Sequence, residues 1–173
     1  MTVRLHGDKV VLRAFSPAEV DLVVDRHTKG DREAAGRFVA ESGTWTDRPT
    51  GLILAIETGD RLVGEVQARG GRAQLLPEGV FELGIEVYEP EDRGRGIGAD
   101  ALATVTRYLF DDEHAHRVQI STATDNTSMR RSAERAGFGF EGVLRSFMGP
   151  PTHTEPTDYA MYGRTRDDHG GPS

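Results

Sequence analysis

The stretch Val87-Tyr88-Glu89-Pro90-Glu91-Asp92-Arg93-Gly94-Arg95-Gly96-Ile97-Gly98-Ala99 joins the end of a strand to the start of a long helix through a glycine-rich turn. Before it, Phe81, Leu83, Ile85 and Val87 alternate with Glu82 and Glu86, the period of a half-buried strand. After it, Ile97, Ala101, Leu102, Val105, Tyr108 and Leu109 fall on one face of a helix running to about Phe110. Gly94, Gly96 and Gly98 let the backbone pass close to a ligand without Cβ clashes, and the N–H groups of a helix start carry a partial charge of about +0.5. A pyrophosphate suits such an anion cradle. The plain rival is a turn that only connects strand to helix. A Walker-type loop needs Gly-Lys followed by Ser or Thr, whereas Gly98 precedes Ala99 and Asp100. A dinucleotide fingerprint needs glycines in first, third and sixth places after the first strand of a parallel unit, and this loop is mid-chain behind an alternating strand.

Upstream, Val10 to Ala14 reads as a strand, followed by Ser16-Pro17-Ala18-Glu19, a capping box with proline in the first turn of a helix whose apolar face is Val20, Val23 and Val24. A second helix is expected over Asp31 to Glu41 and a loop over Gly43 to Arg48, which carries Trp45. Leu52 to Glu57 and Leu62 to Arg69 are β-rich runs around Thr58-Gly59-Asp60-Arg61, a hairpin signal. Downstream, a strand is expected over Val118 to Thr124, a short helix over Thr127 to Ala136 stopped by Gly137, and strands over Phe138 to Leu144 and Asp158 to Gly163. Strands and helices mix without strict alternation, which predicts an α/β domain with a mixed sheet.

Composition narrows the chemistry. With 28 acidic against 21 basic residues, a formal −7, clustered phosphate contacts of the kind nucleic acids need are disfavoured. No cysteine means no disulfide, thiolate zinc site or cysteine nucleophile. No metal is expected, since His114 and His116 lie two apart, a spacing that does not converge on a helix. Met1 to Lys9 lacks an apolar targeting region, and no run approaches the roughly 20 apolar residues of a membrane span, which predicts a cytoplasmic protein with no membrane partner. One domain over residues 1–165 is expected, with a disordered polar tail over 166–173.

The signature Arg93-Gly94-Arg95-Gly96-Ile97-Gly98, with Arg93, Gly96 and Gly98 at its fixed places, resembles the acetyl-CoA signature of the GCN5-related N-acetyltransferases (GNAT). The family's order of elements lies over residues 4 to 164, and Asn126, Glu134-Arg135-Ala136-Gly137-Phe138 and Glu141-Gly142-Val143-Leu144-Arg145 resemble its ribosomal-protein (RimJ/RimL-like) branch. The resemblance implies a single-domain GNAT fold, a mixed but mostly antiparallel sheet flanked by helices and splayed between the fourth and fifth strands. It implies that backbone groups near Ile85 and Val87 hold the pantetheine arm as an added strand. The implied CoA contacts are Val87, Tyr88, Arg93, Gly94, Arg95, Gly96, Ile97, Gly98, Ala99 and Asn126; Asn126 also reads as an N-cap. Dimers are common among such proteins, which leaves a homodimer open.

Acetyl transfer from a thioester to an amine needs a neutral amine and a donor for the developing oxyanion. The backbone N–H of Val87 or Tyr88 is the expected donor. Glu82, in the family's carboxylate slot, is the first choice of base and Glu86 the second, against the alternative that both decorate a solvated face. The general acid stays unassigned. The branch's serine position holds Met129, and Ser128 and Ser132 would face differently on a helix. Asp158 and the loop Met148 to Pro156, with His153, are candidates for the acceptor pocket and its lid. The expected activity is direct acetyl transfer from acetyl-CoA, within a ternary complex, to a primary amine, either a small molecule or a protein N-terminus. The rivals are a non-catalytic acyl-CoA sensor and a nucleotide-binding module. Glu78, Glu82, Glu86, Glu89, Glu91 and Asp92 crowd before Arg93, a field that draws cationic amines or simply a solvated acidic face.

Overall fold

The computed structural model describes residues 1–47, 50–70, 76–149 and 154–170. Along the chain run β1 (Leu5–His6), β2 (Val11–Arg13), α1 (Val20–Arg26), α2 (Arg32–Glu41), β3 (Thr46–Asp47), β4 (Thr50–Thr58), β5 (Arg61–Gly70), β6 (Val80–Val87), α3 (Ile97–Asp111), β7 (Arg117–Ala123), α4 (Thr127–Arg135), β8 (Gly139–Met148), β9 (Thr157–Thr165) and α5 (Arg166–Gly170). One sheet holds the strands in the order β1-β2-β4-β5-β6-β7-β9-β8, with β3 paired to β4. Among the described residues every pairing is antiparallel except β6 with β7.

Period-two patterning sorts the sheet's two faces. Leu52, Leu54 and Ile56 of β4, Val66 and Ala68 of β5, Leu83 of β6 and Val118 and Ile120 of β7 form the main core with α3, through Ala101, Leu102, Val105 and Leu109. Ala133 and Ala136, in and just after α4, join that side. On the opposite face α1 and α2 cover a smaller core of Phe15, Val23, Ala35, Val39 and Ala55. That cover is partial, and the next positions on this face, Glu65, Gln67 and Arg69 of β5 against Glu86, Gly84 and Glu82 of β6, are polar or bare.

The capping box forms as Ser16 and Glu19 dictate, but around a short 3-10 turn, Pro17–Glu19, that leads into α1. Asp31 caps α2 through the Ala34 N–H, and Gly137 ends α4 with φ 87°. Three expectations change. Thr46 and Asp47, expected in a loop, extend the sheet as β3, beside Trp45, which donates to Tyr108 Oη at 3.0 Å and to Glu113 at 2.8 Å. β8 runs to Met148. Residues 166–170, expected in a disordered tail, form α5, which docks on the end of α3 through Arg166 donating to Phe110 O and His169 stacking on Phe110, and on the following loop through Arg166 Nε donating to Ala115 O at 3.0 Å. Within the expected lid, 150–153 with His153 lie outside the described residues.

Candidate active site

β6 pairs with β5 along nearly its whole length but with β7 only through Val80, Phe81 and Glu82. Beyond Glu82 the two strands part. Tyr88 N–H donates to Val63 O at 2.9 Å. With Gly64 opposite Val87 and Glu65 opposite Glu86, that bond turns the N–H and C=O groups of Glu82, Gly84 and Glu86 toward β5, and those of Ile85 and Val87 toward the opening. This alternation removes the Tyr88 N–H as an oxyanion donor, because it is already spent on β5, and leaves that of Val87.

The opening is a cleft of about 500 Å³ walled by Ile85, Val87, the α3 loop and α4. Gly94 and Gly96 sit at φ 74° and 84°, a region that side chains resist, so the cradle depends on glycine at both positions. Arg93 lies on the wall and folds the loop back on the strand end, with Nε donating to Val87 O at 3.1 Å and the guanidinium to Tyr88 O at 3.3 Å. Gly98 and Ala99 line the cleft; a Cβ on Gly98 would lie 3.4 Å from Ser132 Oγ, which is how close α3 and α4 come. Asn126 lines it too and caps α4, its Oδ1 accepting the Met129 N–H at 3.1 Å.

Three more of the expected contacts, Tyr88, Arg95 and Ile97, are not among the residues that line the cleft. Ile97 is core, 4% exposed. Arg95 reaches the buried, cleft-lining Asp92 at 3.4 Å, and Asp92 is held by the Arg61 guanidinium through two bonds of 2.7 and 2.9 Å. Tyr88 is buried on the other face, where its hydroxyl donates to Glu65 at 2.9 Å. Burial first, and then the Glu65 carboxylate, push its ionisation well above the ordinary phenol range.

That other face carries the carboxylates. Glu82 occupies the last paired position before the splay and accepts from Gln119 Nε2 at 3.1 Å, Ser121 Oγ at 3.3 Å and Arg69 at 3.5 Å. Glu86 is half exposed, bonded to Arg26 of α1 at 3.1 Å, and also touches the cleft, so it sits at the junction of the two sides. Glu65, 3% exposed, accepts from Tyr88 and from Gln67 at 2.8 Å, while His27 Nε2 approaches it to 2.6 Å and the His27 ring stacks on Phe38. Asp158 serves the strand edge, its carboxylate accepting the Ser146 N–H at 2.8 Å and its carbonyl that of Thr124.

The family model described as Acetyltransferase (GNAT) domain matches residues 5–139. The chain belongs to the GNAT acetyltransferase family. This GNAT acetyltransferase is 25% identical over 153 residues to an N-acetyltransferase 9-like protein of Caenorhabditis briggsae, with 79% of this chain and 77% of that one aligned. It superposes on Mycobacterium smegmatis RimJ in complex with CoA-disulfide with a TM-score of 0.73 at 18% identity, over 99% of this chain and 90% of that one. On the microcin C7 self immunity acetyltransferase MccE, in complex with acetyl-CoA and AMP, the TM-score is 0.71 at 18% identity, covering 91% and 93%. It is an acetyl-CoA-dependent N-acetyltransferase that acts on an amine acceptor.

The chain's own groups fit the cosubstrate. A strand edge turned to an opening matches a pantetheine arm, and a glycine cradle at a helix start matches a pyrophosphate. The GNAT signature did not point to α4, whose Ser128, Arg131, Ser132 and Arg135 line the same cleft. Their spacing of three and four is a polar helical stripe that was open to reading in the sequence. Ser128, Met129 and Ser132, expected to face apart, all reach the cleft wall, where the groove is wide enough to take a whole face of the helix. The Glu65, His27 and Tyr88 cluster carried no local signal, because β5, α1 and the end of β6 meet only in the fold.

Proposed function

We propose that this enzyme moves acetyl from acetyl-CoA directly to a primary amine in a ternary complex, with Val87 supplying the oxyanion donor and Glu82 the base. The observation that carries this is the parting of β6 from β7 immediately after Glu82, which leaves a backbone edge turned to the cleft and a hydrogen-bonded carboxylate on one strand. Gly94, Gly96, Gly98 and Ala99 cradle the pyrophosphate with Arg93, and Arg131 and Arg135 add cations from α4. Ile85 and Val87 hold the pantetheine by their backbone, and Asn126 lines the same cleft at the start of α4.

Glu82 receives the proton the acceptor ammonium must lose. It lies about 17 Å along the strand from Val87, at about 3.4 Å per residue, so the proton crosses through a chain of waters. Glu86, closer to Val87 but tied to Arg26, steers the cationic acceptor instead. The thiolate of CoA is a tolerable leaving group, so no acid is assigned at Met129.

The acceptor is a protein N-terminus or a small amine entering over the face of Glu65, Glu82 and Glu86. The branch motifs at Asn126 and at 134–138 favour the first, and Met129 in the serine position favours the second. A homodimer fits the outer strand β8, which exposes Phe140, Val143, Leu144 and Phe147. The test is a screen of N-terminal peptides and small amines for acceptor-dependent CoA release. Acetyl-CoA that bound without release to any acceptor would favour the sensor, and a fold stabilised by ATP or NAD rather than CoA would favour the nucleotide module.

A further inference from the structure

α3 carries Asp100, Thr104 and Arg107 on one stripe at helical spacing, and all three meet the turn between β1 and β2. Asp100 Oδ1 accepts from the Asp8 N–H at 3.2 Å, and Oδ2 accepts from those of Lys9 and Val10 at 2.7 and 3.1 Å. Arg107 donates to His6 O at 3.1 Å. A Cβ on Gly7 would lie 2.5 Å from Thr104 Oγ1 and 2.6 Å from Asp100 Oδ2, so only glycine lets the turn seat this close.

From that anchored backbone the Lys9 side chain runs along Gly96, and its Nζ donates to Arg95 O at 2.9 Å. A Cβ on Gly96 would meet Nζ at 3.0 Å and Cε at 3.7 Å. The cleft wall includes Gly94, Gly96 and Gly98, and neither Lys9 nor Arg95 lines it. A trans peptide is planar, with its C=O and N–H pointing in opposite directions. Holding the Arg95 carbonyl outward therefore aims the Gly96 N–H inward, at the cradle. Gly96, at φ 84°, would otherwise let that peptide turn over at little cost.

We propose that Lys9 is a positioning residue for the donor substrate: seated by Asp100, it fixes the Arg95–Gly96 peptide so that the N-terminal hairpin braces the pyrophosphate cradle. This rests on the cleft being the CoA site. Lys9 is exposed and outside the core, so its substitution leaves folding intact.

The test is calorimetric titration of CoA and of 3′-dephospho-CoA into the full chain and its Lys9→Met and Lys9→Arg variants, with thermal midpoints taken alongside. Lys9→Met is expected to weaken both ligands by the same factor, about five- to tenfold for one net hydrogen bond, at an unchanged midpoint, and Lys9→Arg to recover most of the loss. Equal affinities for wild type and Lys9→Met would overturn the proposal, as would a loss confined to CoA, which would make Lys9 a direct 3′-phosphate contact. A wild-type chain that binds neither ligand would instead overturn the CoA reading of the cleft.

Discussion

Glu82 is held by an amide, a hydroxyl and a guanidinium at the point where two strands separate, an arrangement that orients a carboxylate without burying it. Glu82→Gln keeps the volume and most of those bonds while removing basicity. Turnover is expected to fall about 10²- to 10⁴-fold, the usual contribution of general base catalysis, with the CoA dissociation constant unchanged; steady-state kinetics beside calorimetry would show it. Glu86→Gln is expected to raise the amine KM more than it lowers kcat, because Glu86 belongs to the Arg26 bridge and the mouth of the cleft. At Gly96, alanine places a Cβ in the left-handed region and against Lys9 Nζ. Gly96→Ala should cost about 1–2 kcal/mol of stability, visible as a drop in the thermal midpoint, together with weaker CoA binding.

At the scale of elements, α4 shows what sequence reasoning reaches and where it stops. Asn126 and Gly137 mark its two ends by cap chemistry alone, and Asn126→Ala should cost about 1 kcal/mol by denaturant unfolding. The cations of its cleft face, Arg131 and Arg135, lie on a stripe that is visible only once period 3.6 is laid on a segment with few apolar residues. Arg131→Ala and Arg135→Ala should each raise the KM for acetyl-CoA and flatten its rise with ionic strength, since screening no longer has that charge to act on. The signature strand and α3 were legible because alternation switches to a helical period across a glycine turn. β1 and β3, at two residues each, are too short to carry a period and exist because β2 and β4 offer them edges. The Glu65 cluster depends on register between elements distant in sequence, which no local pattern encodes.

Across the whole molecule, the acid carboxylates that tie strands and loops together share one electrostatic habit. Arg117 holds Glu141 between β7 and β8, Arg61 holds Asp92 under the cradle, and Thr165 holds Asp168 at the start of α5, each keeping its carboxyl below the ordinary range. A group whose folded pKa is depressed contributes stability that is complete above its unfolded pKa, about 4, and is lost as pH falls through the lower folded value. The thermal midpoint should therefore hold above about pH 5 and decline below about pH 4, and Glu141→Gln should make that decline shallower. We propose that one splayed strand serves a CoA cleft on one side and an acidic acceptor face on the other. The most direct measurement is acceptor-dependent release of CoA from acetyl-CoA, across N-terminal peptides and small amines, by wild type and Glu82→Gln at matched CoA occupancy. Release with at least one amine, reduced at least about 100-fold in Glu82→Gln, is the predicted result; equal release by both proteins would contradict it.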